Sequence, residues 1–347
     1  MYNIYDYLKY YKDYDIKDFP WNDMDNLLLS IIVYIPIKSF MGTLNFSDMY
    51  KKIISFKIPS KTEFLVPKVK ELMEIIKDSN RYKNLKFKNF ENILDSNTQF
   101  GAMTCKIGKN KMIVFKGTDR SIIGWIENFR LIYQYPTYTQ KLAIKYLENN
   151  ISIFDKSVCV MGHSKGGNLA MCSAMEINNS KFNKIKKIIN FDGPGFRKEE
   201  FESIKYKKMS KKLVNIIPSS SYIGTLMFNK NYKIIKTSSH AISVHYPIYW
   251  NIFGSEFECI DNLSRLSMEL HTRTSINIEN IDPESVEKYF ETAFKAMDYK
   301  KTSNISFNFN DIINIFKNVK GIDSKTSNYV NSILKSMIKL SNKSKGE

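Results

Sequence analysis

Glycine is scarce in this 347-residue chain, 14 in all, yet Gly162, Gly166, Gly167, Gly193 and Gly195 crowd into one short region. Such crowding calls for a backbone reason. The segment "VMGHSKGGNLAM" (160–171) places glycine two positions before and two positions after Ser164. A serine on a sharp strand-to-helix turn occupies an unfavourable φ/ψ region. Side chains two positions to either side would strike the adjoining strand and helix, so glycine is needed there. The flanks agree: "SVCVM" reads as a buried strand and "NLAMCSAMEI" has the apolar spacing of a helix. Such a turn lifts the Ser164 hydroxyl to the carboxyl edge of a sheet. It also makes the Lys165 amide an oxyanion donor and aims a helix amino terminus at developing negative charge. The competing reading is a plain loop serine.

The surrounding pattern extends this picture. From about residue 100, "KMIVFKG", "KSVCVMG", "KIKKIINFDG", "KKLVNIIPS" and "NYKIIKTS" read as strands, with "IENFRLIYQ", "TQKLAIKYLENNI" and "NLAMCSAMEI" as helices between them. Strands alternating with helices predict an α/β fold, a mostly parallel sheet with helices on both faces. The first hundred residues read as mainly helical, in particular "DMDNLLLSIIVYI" and "PKVKELMEIIKDSN". Asp282 and Pro283 make a cap and first-turn pair opening "PESVEKYFETAFKAM". Two further amphipathic segments follow, "FNDIINIFKNV" and "SNYVNSILKSMIKL". The expected division is one domain over 1–280, including its helical N-terminal region, and a helical C-terminal extension over 281–347.

Several segments together carry a family resemblance. "VFKGTDRSIIGWIENF" (114–129) resembles the segment of class 3 lipases that leads into a short, tryptophan-bearing lid helix. "VMGHSKGGNLA" resembles their nucleophile elbow, and "INFDGPGF" (189–196) the strand and loop after it. With the "YDYLKYYKDYDI" start and the "IIPSSSYIGTLM" and "VHYPIYW" segments, the chain resembles more closely a bacterial family of class-3-lipase-like α/β-hydrolases, known as a domain of unknown function. The resemblance covers roughly residues 1 to 260. It implies an α/β-hydrolase fold, with Thr118 beside the Lys165 amide in the oxyanion hole and with Ile122, Ile123 and Trp125 on a lid able to cover an acyl chain. Without it, "KGT" is equally a strand-to-loop exit, and a lid helix is equally a packed one.

Four histidines narrow the search for a base. His163 sits inside the elbow with its side chain turned from its neighbour's hydroxyl, and is read as structural. His271 falls in a helix, "SRLSMELHTR". His240 and His245 follow the last strands, where α/β-hydrolases place the histidine in the chain order Ser, acid, His. The resemblance selects His245, with His240 in reserve. For the acid, class 3 lipases carry an aspartate after the strand matching "LVNIIP", but this chain reads "SSSYIG" there, with Ser220 near the expected place. Asp192, at the end of the strand after the elbow helix, is the alternative; the competing reading has Asp192 bonding its own turn amides. Glu256 and Asp261 lie after His245 and break the usual order.

The expected chemistry is serine hydrolysis of carboxylic esters, the substrate a small acyl ester or lipid, with no cofactor and no metal. An acyl transfer on the same residues, or a scaffold with a decayed triad, are the alternatives. The formal charge of +17 favours anionic partners and would help at an anionic membrane surface. Much of the excess is lysine scattered along the chain, and no nucleic-acid motif accompanies it, so nucleic acid is not an expected partner. Cys105, Cys159, Cys172 and Cys259 lack metal-site spacing and read as buried free thiols in a reducing compartment. "LLLSIIVYIPI" is too short to span a bilayer, and the polar start does not resemble a signal peptide. A cytoplasmic location is therefore expected.

Overall fold

The computed structural model describes residues 2–60, 62–119, 121–278 and 282–296, with a few positions between 324 and 330. Helix α1 (Ile4–Tyr11) and helix α2 (Asp23–Ile32) each open on a capping box, from Asn3 with Asp6 and from Asn22 with Asp25. Then come β1 (Phe40–Asn45), α3 (Phe46–Ser55) and α4 (Leu65–Ile76). Strands β2 (Lys86–Leu94), β3 (Gln99–Ile107) and β4 (Asn110–Phe115) follow, then α5 (Ile122–Tyr133) and α6 (Tyr138–Asn150). The remainder of the sheet is built from β5 (Val158–His163), β6 (Ile185–Phe191), β7 (Leu213–Pro218) and β8 (Tyr232–Ile235). Helices α7 (Lys165–Glu176) and α8 (Asn179–Phe182) join β5 to β6, while α9 (Lys198–Glu202) and α10 (Ile204–Met209) join β6 to β7.

All eight strands form one sheet in chain order, antiparallel from β1 to β4 and parallel from β4 to β8. The five strands read from sequence are the parallel half. The antiparallel half corrects the expectation of a mainly helical first hundred residues: β1, β2 and β3 intervene among the predicted helices. Alternation along the strands assigns the two faces. Met112 and Val114 of β4, Met161 of β5 and Ile189 and Phe191 of β6 pack with α1, α2 and α4. Ile113 and Phe115, Val158 and Val160, and Ile188 face the other way, onto α6, α7 and α10. Both faces are thus covered, as a parallel sheet requires.

Two more helices lie beyond the sheet, α11 (Arg265–Ile278) and α12 (Pro283–Ala296). Asp282 caps α12 as its sequence suggested, accepting from the Ser285 amide at 2.9 Å. Helix α12 lies along α5: Phe290 stacks on Phe129 with centroids 4.9 Å apart, and Tyr133 donates to Glu291 at 3.1 Å. The segments "FNDIINIFKNV" and most of "SNYVNSILKSMIKL" lie outside the described residues. The four cysteines are unpaired; Cys105 and Cys172 are buried, but Cys159 is only half-buried and Cys259 is exposed, which corrects the expectation of four buried thiols. No described helix is long and apolar enough to cross a membrane.

Candidate active site

The carboxyl ends of β4, β5 and β6 meet at one tight crossing. Ser164 follows β5 directly and has φ 59° and ψ −132°, a left-handed conformation that a serine adopts only when its surroundings impose it. Its amide donates to the Phe191 carbonyl at 2.9 Å, tying the turn to the end of β6. The glycines make this possible. A Cβ on Gly162 would lie 2.3 Å from Gly166 carbonyl atoms, and one on Gly166 would lie 2.1 Å from the Phe115 oxygen. Strand, turn and helix touch through bare backbone. Ser164 keeps 8% of its surface exposed, and its side chain takes no part in capping α7.

Asp192 also has positive φ, 53°, and its amide donates to the Ile216 carbonyl at 2.8 Å. The turn after it is held by Asn190, whose Oδ1 accepts from the Gly193 amide at 2.9 Å while its Nδ2 donates to the Gly193 carbonyl. Asn168, on α7, fastens the same loop through the Pro194 and Gly195 carbonyls. The asparagines thus take the turn-making role that the sequence left open for Asp192, and the Asp192 carboxylate points elsewhere. Its Oδ2 lies 2.6 Å from His245 Nδ1. Its Oδ1 accepts from the Ser221 hydroxyl and from the Gly224 amide at 3.1 Å. Burial pushes the Asp192 carboxyl above its ordinary range, and the bonds from His245, Ser221 and Gly224 oppose that push. The "SSSYIG" stretch therefore contributes two donors to the aspartate. Ser220, singled out for its position, is not the serine involved; its neighbour Ser221 is.

His245 closes a short 3-10 turn after β8. Trp250, fully buried, donates from Nε1 to the Val244 carbonyl at 2.8 Å and so fixes that turn. The ring of His163 lies against the ring of His245 with centroids 4.5 Å apart. His163 Nε2 is 2.8 Å from the His245 carbonyl, and its Nδ1 is 2.8 Å from the Tyr34 hydroxyl. A carbonyl only accepts, so Nε2 carries the proton and Tyr34 donates to Nδ1. Burial holds the His163 pKa well below that of free histidine, in keeping with this neutral tautomer. His163, read as structural from sequence, has a specific role: it grips the backbone of His245. His240 is exposed, and His271 bonds the Thr225 carbonyl at 2.9 Å. Glu256 belongs to a short hairpin paired with Phe253, and Asp261 is exposed.

The loop after β4 presses on the elbow. A Cβ on Gly117 would lie 2.6 Å from the His163 carbonyl and 2.0 Å from the Tyr34 hydroxyl. The Thr118 hydroxyl donates to Asn128 on α5 at 2.9 Å. Lys165 buries its side chain and donates to the Gln99 carbonyl at 2.9 Å and to Gln99 Oε1. Burial lowers its pKa to about 8. Gln99 in turn donates to the Gly117 carbonyl at 3.2 Å. One glutamine therefore ties the residue after Ser164 to the loop bearing Thr118, a link no sequence signal announced. Nearby, buried Glu63 has its pKa pushed up to about 8 by burial, and Lys116 is lowered for the same reason. Of the residues read as a lid, Ile122 and Ile123 are fully buried on the inner side of α5 and Trp125 is half-buried. The α12 aromatics pack on the same helix through Phe129.

A sheet of this order, with a strained serine after its fifth strand and helices on both faces, defines a lipase-like α/β-hydrolase fold. The chain belongs to the Mbeg1-like family, whose model matches residues 76–295. Among solved structures it is similar to M37 lipase, with 16% identity over 57% of this chain and 68% of that one, at a TM-score of 0.36. It is also similar to the Rhizomucor miehei lipase in its propeptide complex, with 12% identity over 69% and 83% of the two chains, at a TM-score of 0.39. No curated protein matches the sequence.

Proposed function

We propose that this protein is a serine hydrolase of carboxylic esters. Ser164 attacks the acyl carbonyl, and His245 takes the hydroxyl proton and returns it to the leaving group. Asp192 holds the histidine tautomer, and the Lys165 and Thr118 amides receive the oxyanion. Water then releases the acid. The observation that carries this reading is the 2.6 Å contact between His245 Nδ1 and Asp192 Oδ2, at the edge where the serine elbow ends. A carboxylate only accepts, so Nδ1 carries the proton between them, and in the neutral imidazole Nε2 keeps the lone pair that a general base needs. The scaffold reading drew on the aspartate missing from "SSSYIG"; Asp192 beside His245 removes that motive. Lipophilic esters are the substrates favoured, from the family resemblance.

A fluorophosphonate probe tests the nucleophile. The wild-type protein is expected to label and Ser164→Ala to remain blank; equal labelling of the two would refute the assignment. Turnover of a series of p-nitrophenyl esters then reports the preferred acyl length, and an added acceptor alcohol reports whether transfer competes with hydrolysis.

A further inference from the structure

The opposite end of the parallel strands carries a different kind of surface. Lys86 on β2 pairs directly with Lys106 on β3, and Lys106 pairs directly with Lys111 on β4. Directly opposed residues share a face, so three lysines stand in a row across adjacent strands, an arrangement that costs stability on its own. Lys111 is bound to Asp155 at 2.6 Å, while Lys86 and Lys106 are exposed. That ion pair places the turn between α6 and β5 beside the row. The turn presents Ile153 and Phe154, 74% and 85% exposed. It is no loose tip: Asp155 accepts from the Ser152 amide at 2.8 Å, and Lys184 donates to the Ile153 carbonyl at 2.7 Å. The bonds hold two large apolar side chains outward among lysines.

We infer that this edge docks on an acidic phospholipid surface, with Phe154 and Ile153 entering the headgroup layer and Lys86, Lys106 and Lys184 meeting the lipid phosphates. Nucleic acid would satisfy the lysines but gives no use for a protruding apolar pair. The edge lies a strand's length from Ser164, roughly 15–20 Å, so docking holds the candidate active site away from the bilayer it touches. The inference is independent of the esterase reading.

Co-sedimentation with vesicles tests it. The full chain is expected to bind phosphatidylcholine vesicles containing about one-third phosphatidylglycerol, to ignore pure phosphatidylcholine, and to release as salt rises. Lys86→Gln with Lys106→Gln should weaken binding about 25-fold, at about fivefold per lysine, with probe labelling unchanged and the melting temperature no lower than wild type, since the opposed charges are relieved. Phe154→Ser should weaken it too, and the emission of Phe154→Trp should move to shorter wavelength on the acidic vesicles alone. Undiminished binding by both the double-lysine variant and Phe154→Ser overturns the proposal. So does equal affinity for a short DNA duplex that Phe154→Ser leaves untouched, which would reassign the edge to nucleic acid.

Discussion

The Asp192 carboxylate and the His245 imidazole, 53 positions apart in the chain, meet at 2.6 Å because two loops are each fixed independently. Asn190 and Asn168 set the first, and Trp250 and His163 set the second. Replacing Asp192 by Asn keeps the shape but offers an amide that can donate to Nδ1, which favours the tautomer with its proton on Nε2. Esterase kcat is expected to fall by roughly 10⁴, with the fold intact by circular dichroism. A loss smaller than tenfold would show that Asp192 does not govern the histidine.

His163 touches the site through the backbone of His245. His163→Phe keeps a ring but removes both the bond to the His245 carbonyl and the acceptor for Tyr34. Loss of a buried hydrogen bond is worth about 1–2 kcal/mol, or roughly 5- to 30-fold. That loss is expected in kcat with KM little changed, and with a displaced acid limb in the pH profile. A purely structural role would lower the melting temperature and the yield of labelled enzyme while leaving the pH profile where it was. Tyr34→Phe should show the same pattern more weakly.

The parallel half of the fold was legible because its signals are local: β-branched runs such as "KIKKIIN" and "LVNIIP", and glycines where backbones cross. Asp192 and His245 were nameable for the same reason, since each sits at the end of a readable strand or in a motif. The antiparallel strands were harder. "KFKNFENIL" and "QFGAMTCKI" mix charges with apolar residues because β2 and β3 each keep polar positions on the sheet, and the one turn glycine beside them, Gly108 at φ 54°, marks only the exit of β3. Ser221, Gln99 and Trp250 escaped for another reason. Each acts on a partner 29 or more residues away, or through a carbonyl, and such bonds leave no trace in spacing.

The elbow glycines set a steric prediction. At Gly166 an added methyl would meet the Phe115 carbonyl oxygen at 2.1 Å, and at Gly162 it would meet the Gly166 carbonyl at 2.3 Å. These are backbone atoms of a central strand and helix, so no side chain can rotate aside. Overpacking of this kind costs about 1–3 kcal/mol or more. Gly166→Ala and Gly162→Ala are each expected to lower the melting temperature by several degrees and to abolish probe labelling. Gly42→Ala is the control: nothing lies within 4 Å of its Cβ, yet its φ of 91° still strains an alanine, so it should lose some stability and keep labelling.

Glu63 gives the pH prediction. Burial raises its pKa from 4.5 to about 8, so between those values the folded protein holds a proton that the unfolded chain has released. Stability falls with rising pH wherever the folded state binds more protons. The contribution is complete below about pH 4.5 and disappears as pH climbs through 8. A shift of this size corresponds to at most roughly 5 kcal/mol. Glu63→Gln, which mimics the protonated form, is expected to flatten the decline in denaturant midpoint between about pH 5 and pH 8 and to be more stable than wild type at the upper end. Parallel wild-type and variant curves across that window would mean that Glu63 is ionised in the folded protein, held by Lys116 and the Leu65 amide.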